Sequence, residues 1–285
     1  MANIEISRAE RLDQYVARQL PTVSRAYAAK LVDLGKVRVN GEIVTKTGYK
    51  IRENDQIVID HDPEQEAKLP KIELPIIYED DDCVVITKPE GILSHSKGAF
   101  NPEATVASWL SDYVVGLTGE RAGVIHRLDR GTSGVMICAK NPEASKWLQK
   151  QFSQRKVKKT YVAVINGTLK QEEAIIDMPI ERNPKKPQTF RVGSNGKSAV
   201  TVYTVLESNG KLTMVELRPV TGRTHQLRVH LEELGHPIIG DTFYGGKQAD
   251  RLYLHAKSLE ITLPNRERKV FESPVPKSFK TLLQS

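Results

Sequence analysis

The chain has 285 residues with 39% hydrophobic and 27% charged side chains, an ordinary composition for one large globular domain or a large domain with a small one. Its two cysteines, Cys83 and Cys138, lie in apolar runs without CxxC spacing, which indicates buried thiols in a reducing compartment and argues against a structural zinc site. The net charge of +7 fits either a polyanionic partner such as nucleic acid or a basic enzyme, and the absence of an apolar signal region or a membrane-length run predicts a cytoplasmic protein.

Residues 1–60 predict a small module of two helices followed by short strands. Apolar residues recur at helical spacing along RLDQYVARQL, which Pro21 ends. Ser24 is a suitable N-cap for the second helix, SRAYAAKLVDLG, and Gly35 is its C-terminal stop. The segment KVRVNGEIV alternates around Asn40-Gly41, which is a strong hairpin signal, and KIRENDQIVID predicts a further strand.

The rest of the chain predicts a linker and a larger domain. Residues 61–72 are polar with two prolines, so we interpret them as the linker. Over residues 73–285 strand patterns dominate: CVVITK, VMICAK, YVAVING, AVTVYTVLE, LTMVELRPV and LEITLP. Helical segments are fewer: ATVASWLSDYV, PEASKWLQKQF and THQLRVHLEELG. Because helices and strands do not alternate regularly, we expect a mixed α/β (α+β) domain with a largely antiparallel sheet.

A polar segment lies between two apolar flanks in GVIHRLDRGTSGVMICAK, residues 123–140. Asp129 follows the first flank and precedes Gly131, so a bend there can present its carboxylate to a cleft. Arg127 and Arg130 favour the ionised carboxylate, which suits a nucleophile or a base rather than a proton donor. An aspartate in a turn is more often structural, accepting backbone N–H groups, and these residues alone do not decide between the two roles.

Tyr161 opens the strand that follows a lysine run containing Lys158 and Lys159. Such a tyrosine either packs at the rim of the core or forms a stacking platform for an unstacked base. The basic run over 150–159 and a second one over 182–191 flank this strand. Each could be a solvated surface, but two runs around one strand favour a phosphate-binding rim.

Arg223 lies just before Thr224, the predicted N-cap of the helix THQLRVHLEELG. Its side chain is either solvated or paired with a buried carboxylate elsewhere. His225 and His230 are five residues apart, which is unsuited to a shared metal on one helix, so we predict no metal site. P-loop, GxGxxG, HExxH and GxSxG motifs are absent from the sequence, and we predict no cofactor.

In this order, the motifs resemble those of the RluA-type pseudouridine synthases. HRLDRGTSG (126–134) resembles their catalytic motif, and the rest of the resemblance covers YEDDDCVVITKPEGILSH, KKTYVAVINGTL, TGRTHQLRVHLEELGHPIIGDTFYGG and LYLHA. Residues 1–60 resemble an RNA-binding domain of the ribosomal protein S-four type, a pairing that recurs in family members acting on large-subunit ribosomal RNA. Gly131 stands where many relatives have an acid, and Val135-Met136-Ile137 replaces a leucine-rich run, but neither difference touches the aspartate.

The resemblance implies an enzyme that isomerises uridine to pseudouridine in RNA, with 23S-type ribosomal RNA as the expected substrate and a monomer as the expected state. Asp129 would be the catalytic aspartate, attacking C1′ or removing a C2′ proton. Arg223 would pair with Asp129, and Tyr161 would stack on the extruded uracil and assist the final deprotonation at C5.

The resemblance also implies a set of RNA contacts. Arg127 would fill the space that the flipped uridine leaves, because a guanidinium plane stacks well on bases. Leu254 would form the floor of the pocket, although ordinary core packing explains it equally well. Structural or solvated roles compete with RNA contact for the remaining candidates, which are His126, Lys88, Lys158 and Lys159.

Two other classes of protein compete with this prediction. A non-catalytic RNA-binding or ribosome-assembly factor fits the basic charge and residues 1–60, but it would need neither Asp129 nor Tyr161. A nucleoside or glycoside hydrolase needs a second carboxylate near Asp129. The acid of the closing motif, Asp241, follows Gly240 at a predicted turn, where we expect a structural role. The sequence does not identify the target uridine.

Overall fold

A computed structural model describes residues 10–20, 25–61, 71–96, 103–117 and 121–284. The predicted roles of Pro21 and Ser24, and most of the predicted linker, lie outside these ranges. No helix in the described ranges has both the length and the apolarity needed to span a bilayer.

Residues 10–60, called the N-terminal module below, contain two helices and a small antiparallel sheet. Helices α1 (Leu12–Gln19) and α2 (Arg25–Asp33) pack together over strands β1 (Val37–Val39), β2 (Glu42–Ile43) and β3 (Ile57–Ile59) in the order β2-β1-β3. The Asn40-Gly41 hairpin is confirmed: both residues adopt positive φ, 53° and 84°, as a tight two-residue turn requires. The hydrophobic core of the module includes Leu12, Val16, Ala28, Leu31, Val37 and Ile51.

The larger domain is built on one broad sheet. Its strands in the described residues are β4 (Ile76–Glu79), β5 (Cys83–Lys88), β6 (Ser133–Ala139), β7 (Lys158–Asn166), β8 (Glu173–Asp177), β11 (Val200–Ser208), β12 (Leu212–Pro219), β13 (Leu254–Thr262) and β14 (Arg268–Glu272). The order is β4-β5-β6-β13-β7-β12-β11-β8, with β14 also on β13. Within this sheet β6 and β13 are parallel and the other pairs are antiparallel, so the predicted mixed, largely antiparallel fold is confirmed.

Helices and a separate hairpin cover the sheet. They are α3 (Val106–Leu110), α4 (Pro142–Ser153), α5 (Gln226–Glu233), α6 (Lys277–Gln284), a short 3-10 helix (Thr242–Tyr244), and the hairpin of β9 (Ile180–Arg182) and β10 (Phe190–Val192). The predicted N-cap Thr224 is wrong by one residue. Helix α5 is preceded by His225, which adopts a left-handed backbone with φ 57°.

The parallel contact between β6 and β13 brings distant parts of the sequence together. Gly134 pairs with Ala256 at φ 118°, and a Cβ there would lie 2.1 Å from the Ala256 carbonyl oxygen. Only glycine therefore allows the two strands to approach. On its other side Ala256 pairs with Tyr161 of β7, and Leu254 begins β13. The loop before β6, Tyr161 and Leu254 consequently converge at one place in the sheet.

Candidate active site

Hydrogen bonds from the segment that follows β5 hold the loop that carries Asp129. Ser94 Oγ accepts a hydrogen bond from the Leu128 N–H at 3.0 Å and donates one to the Leu128 carbonyl at 2.8 Å. The Gly91 N–H donates to the Arg130 carbonyl at 2.8 Å, and the Thr132 N–H donates to the Asp129 carbonyl at 3.0 Å. These bonds fix the backbone on both sides of Asp129, and its side chain faces the cleft described below.

Lys88 reinforces the same loop from inside the protein. Its side chain is fully buried, and Nζ donates to the carbonyls of Pro89, Ile92 and Arg130 at 2.7, 2.8 and 3.3 Å. Burial lowers the pKa of Lys88 to about 7, while the charge of Asp129 opposes that shift. Because Lys88 has no exposed surface and its amine bonds three carbonyls, the geometry favours the structural role over RNA contact.

Arg228 of α5 joins the Asp129 carboxylate to a second, buried carboxylate. Its Nη1 donates to Asp129 Oδ2 at 3.2 Å, while Nε and Nη2 form a bidentate pair with Asp241 at 2.6 and 2.7 Å. The side chains of Arg228 and Asp241 are only 9% and 1% exposed. This planar, fork-to-fork pairing holds the guanidinium in one orientation beside Asp129. The predicted structural role of Asp241 agrees with this geometry.

The predicted pairing of Arg223 with Asp129 is wrong. Arg223 Nε donates to the Ser198 carbonyl at 3.0 Å, and its side chain lies at the edge of the cleft. Arg228 makes the contact instead because it lies in the first turn of α5, which faces the loop. The sequence contained a partial signal: Arg228 lies three residues before Leu231, on the core face of the predicted helix, where a charge needs a partner, but this does not identify Asp129 as that partner.

Gln226 is a further residue that the sequence did not identify. Its side chain is buried, and Oε1 accepts from Thr221 Oγ1 at 2.7 Å and from the Arg223 N–H at 3.0 Å. Its Nε2 donates to the Val200 carbonyl and to Thr201 Oγ1 at 2.9 and 3.0 Å. With both ends of the amide bonded, Gln226 fixes the corner between β12 and α5.

In front of the Asp129 carboxylate lies a cleft of about 310 Å³. Tyr161 and Leu254 form part of its walls, with Leu254 buried and Tyr161 half-buried. Burial, together with the charge of Asp129, raises the pKa of the Tyr161 phenol above its usual value. The cleft therefore combines an apolar surface and a neutral aromatic ring with a carboxylate.

His126 supports the wall of this cleft. Its ring stacks on Phe152 with centroids 4.6 Å apart and planes 21° apart, and Nε2 accepts a hydrogen bond from the Ile137 N–H at 3.1 Å. Burial, and to a lesser extent the charge of Lys159, lowers the pKa of His126 to about 3. A neutral imidazole with one nitrogen already engaged links the Asp129 loop to β6.

The sequence of this chain matches the models of two known protein families. Residues 82–233 match the family model for RNA pseudouridylate synthase, and residues 10–57 match the S4 domain. The chain belongs to the RNA pseudouridylate synthase family. It is therefore an RNA pseudouridine synthase, an isomerase, with an N-terminal S4 domain.

Relatives of this pseudouridine synthase match nearly the whole chain. An RNA pseudouridine synthase of Aquifex aeolicus (strain VF5) is 38% identical over 96% of this chain and 92% of its own length. Ribosomal large subunit pseudouridine synthase D of Haemophilus ducreyi is 35% identical over 96% of this chain and 90% of its own length. The solved structure of human RNA Pseudouridylate Synthase Domain Containing 1 has a TM-score of 0.60 at 31% identity, covering 71% of this chain and 83% of the human one.

The pseudouridine synthase brings most of the predicted site residues to one cleft. Its lining includes Asp129, Tyr161, Arg223, Arg127, His126, Leu254 and Lys159. Burial lowers the pKa of Lys159. Lys158, by contrast, forms an exposed pair with Glu260 at 3.2 Å. Arg127 is exposed and also borders a second cleft of about 880 Å³, so it stands between the two.

Proposed function

We propose that this pseudouridine synthase isomerises specific uridines in structured RNA, with large-subunit ribosomal RNA as its substrate and Asp129 as the catalytic residue. The observation that carries the proposal is the Asp129 carboxylate, which opens onto a cleft walled by Tyr161 and Leu254 and is paired with buried Arg228. The ribosomal substrate is supported by full-length relatives named for the large subunit and by the S4 domain.

Binding begins when the target uridine leaves its stack, at a cost of a few kcal/mol. Arg127 takes the vacated place, since it is exposed and lies between the two clefts. The uracil enters the smaller cleft, where the Tyr161 ring stacks on one face and Leu254 supplies apolar contact. The ribose then lies against the Asp129 carboxylate.

The reaction breaks the N1–C1′ bond, turns the uracil and joins C5 to C1′. An Asp129 oxygen starts it by attacking C1′ or by removing a C2′ proton, and Arg228 stabilises the carboxylate throughout. The C5 proton leaves in the last step. The Tyr161 ring stacks on the uracil and assists this deprotonation, and the proton lost from C5 is balanced by the one that N1 gains.

The proposal includes a monomer that acts in the cytoplasm without a cofactor. The isomerisation is redox-neutral and releases no group to solvent. A single carboxylate is sufficient for it, whereas hydrolysis of a glycosidic bond normally uses two.

Tritium release from RNA labelled with [5-³H]uridine tests the catalytic role. The wild-type protein is expected to release tritium from a large-subunit ribosomal RNA transcript, and Asp129→Asn is expected to release none while binding the RNA normally. Tyr161→Leu is expected to lose turnover with RNA binding retained. An Asp129→Asn variant as active as wild type would reject the assignment, and release of free uracil would indicate hydrolysis instead.

Mapping pseudouridine in cells with and without the protein tests the substrate. The proposal expects specific positions in the large-subunit ribosomal RNA to lose the modification. If transfer RNA positions changed and ribosomal positions did not, the ribosomal part of the proposal would fall while the catalytic part would stand.

A further inference from the structure

His225, at the corner between β12 and α5, has a strained backbone. Its φ of 57° and ψ of 18° lie in the left-handed region, which is unfavourable for a residue with a Cβ. Strain of this kind persists where the surrounding structure holds the residue in place, and it concentrates at functional sites. Gln226, with both ends of its amide bonded, provides that constraint from the adjacent position.

The ring of His225 is held in one orientation and one tautomer. Its Nδ1 lies 2.8 Å from Tyr244 Oη, and the Phe190 N–H donates to the same oxygen at 3.0 Å. Because Oη already accepts one hydrogen bond, its own proton is best placed on the path to Nδ1. Nδ1 then accepts and Nε2 carries the ring proton. The rings of Phe190 and Tyr244 pack edge-on against His225, each at 5.6 Å.

The protonated Nε2 faces the Asp129 carboxylate. It lies 3.7 Å from Oδ2, the same oxygen that Arg228 Nη1 contacts at 3.2 Å. In the part of the chain that the structure describes, Oδ1 has no hydrogen-bond partner. Burial lowers the pKa of His225, with Asp129 and Asp241 opposing the shift, so the imidazole is neutral at pH 7.

We propose that His225 is a positioning residue that, with Arg228, holds Oδ2 of Asp129 and leaves Oδ1 as the oxygen that acts on the ribose. The inference rests on the proposed function, in which Asp129 is the catalytic residue. Hydrogen bonds of catalytic groups are often long before substrate binds, and the gap from Nε2 to Oδ2 closes when the sugar fills the cleft. The hairpin that carries Phe190 thereby supports the carboxylate through Tyr244 and His225.

Two amide substitutions of His225 test the roles of its two ring nitrogens separately. Asparagine tolerates the left-handed backbone, and its amide reaches the position of Nδ1 beside Tyr244 but not that of Nε2. Glutamine can place an N–H at the position of Nε2. We expect His225→Asn to lower the single-turnover rate of tritium release about 10- to 100-fold with the RNA Kd and the Tm unchanged. We expect His225→Gln to recover most of that loss.

The outcomes distinguish this inference from the proposed function. If His225→Asn turned over at the wild-type rate while Asp129→Asn was inactive, the positioning role would fall and the catalytic role of Asp129 would stand. If His225→Asn and His225→Gln lost rate equally, or lost it only together with Tm, the residue would be merely structural and the inference would be overturned. An active Asp129→Asn would overturn both.

Tyr244→Phe provides a second, independent arm. It keeps the aromatic ring beside His225 but removes the hydroxyl that directs the ring proton to Nε2. We expect a single-turnover rate between those of His225→Gln and His225→Asn, again with the RNA Kd unchanged. A wild-type rate in this variant would contradict the tautomer that the inference requires.

Discussion

In the N-terminal module, the cationic side chains that form ion pairs lie at the surface, whereas the larger domain buries Lys88 and Arg228. The side chains of Arg11, Arg18 and Lys36 of the module are 47%, 42% and 46% exposed, and each forms an ion pair, that of Arg11 with the buried carboxylate of Asp13. Lys88 and Arg228 of the larger domain are buried. An exposed pair is worth little to stability, while a buried charge that loses its partner is strongly destabilising.

This difference separates two tasks of an RNA-modifying enzyme. Exposed cations attract the phosphate backbone without fixing a geometry, which suits a module that contributes affinity. Buried charges keep one arrangement, because each alternative leaves a charge without a partner. Lys88 holds the backbone of the loop that carries Asp129, and Arg228 holds the Asp129 carboxylate. Substitutions of the buried cations in the larger domain should therefore affect stability and rate, and those of module cations that border the clefts should affect affinity.

Removing Arg228 should have the largest effect. Arg228→Met leaves Asp241 buried without its bidentate partner, and we expect a loss of about 3–5 kcal/mol in the free energy of unfolding together with loss of turnover. Urea denaturation and tritium release measure the two quantities. Arg223→Met is the matched control, since this arginine bonds only a backbone carbonyl at the edge of the same cleft, and its stability should change little.

The double variant Arg228→Met with Asp241→Asn sharpens this test. Neutralising Asp241 removes the unpaired buried charge, so much of the lost stability should return, whereas turnover should not, because Asp129 still lacks Arg228. If Arg223→Met were as damaging as Arg228→Met in both measurements, the assignment of the two arginines would be reversed.

Lys88 should make stability depend on pH. Its pKa is about 7 in the folded protein and 10.5 when exposed, so the unfolded chain holds more protons between these values and stability rises with pH across that window. Below about pH 7 both states are protonated and the contribution is constant. Relative to Lys88→Met, the wild-type protein should gain about 2 kcal/mol in unfolding free energy between pH 7 and pH 9.

Denaturation curves of both proteins at several pH values measure this difference. The variant also loses the hydrogen bonds of Lys88 to backbone carbonyls, which lowers its stability at every pH. If the difference in unfolding free energy between the two proteins stayed constant from pH 7 to pH 9, the carbonyl oxygens would keep Lys88 charged over this range. The burial of Lys88 would then not make stability depend on pH.

The sequence predicted features that depend on local patterns. The Asn40-Gly41 turn, six strands of the large sheet (β5, β6, β7, β11, β12 and β13) and helix α4 follow from residues close together in the chain. Strands β4, β8 and β14 and the hairpin β9–β10 were not predicted, because each of these strands is only three to five residues long and their pairing comes from tertiary contacts.

The site, too, has residues that the sequence motifs identify and contacts that depend on tertiary structure. Asp129, Tyr161 and Leu254 could be named from motifs, and the β6–β13 contact at Gly134 then brings them together. The partner of Asp129 could not be deduced, because Arg223 and Arg228 are equally basic and only the start of α5 decides which one faces the loop. Lys88 presents the same difficulty, since a lysine in a motif carries no sign of its burial.

The smallest predicted effect belongs to the N-terminal module. Lys30 of α2 is exposed and borders the larger cleft, together with Arg127. We expect Lys30→Gln to raise the RNA Kd about two- to threefold and to reduce the slope of log Kd against log salt concentration by about 1, as loss of one phosphate contact does. The single-turnover rate at saturating RNA should be unchanged, because Lys30 lies outside the cleft that contains Tyr161.

Lys36→Gln is the matched control, because it removes the same charge from the same module at a residue that pairs with Asp60. Its RNA Kd and salt slope should remain at the wild-type values. If Lys30→Gln slowed the single-turnover rate at saturating RNA, the module would take part in arranging the catalytic cleft. The module would then contribute to the geometry of the site as well as to RNA affinity. It would do so through α2, which borders the cleft that Arg127 and Asp129 also line.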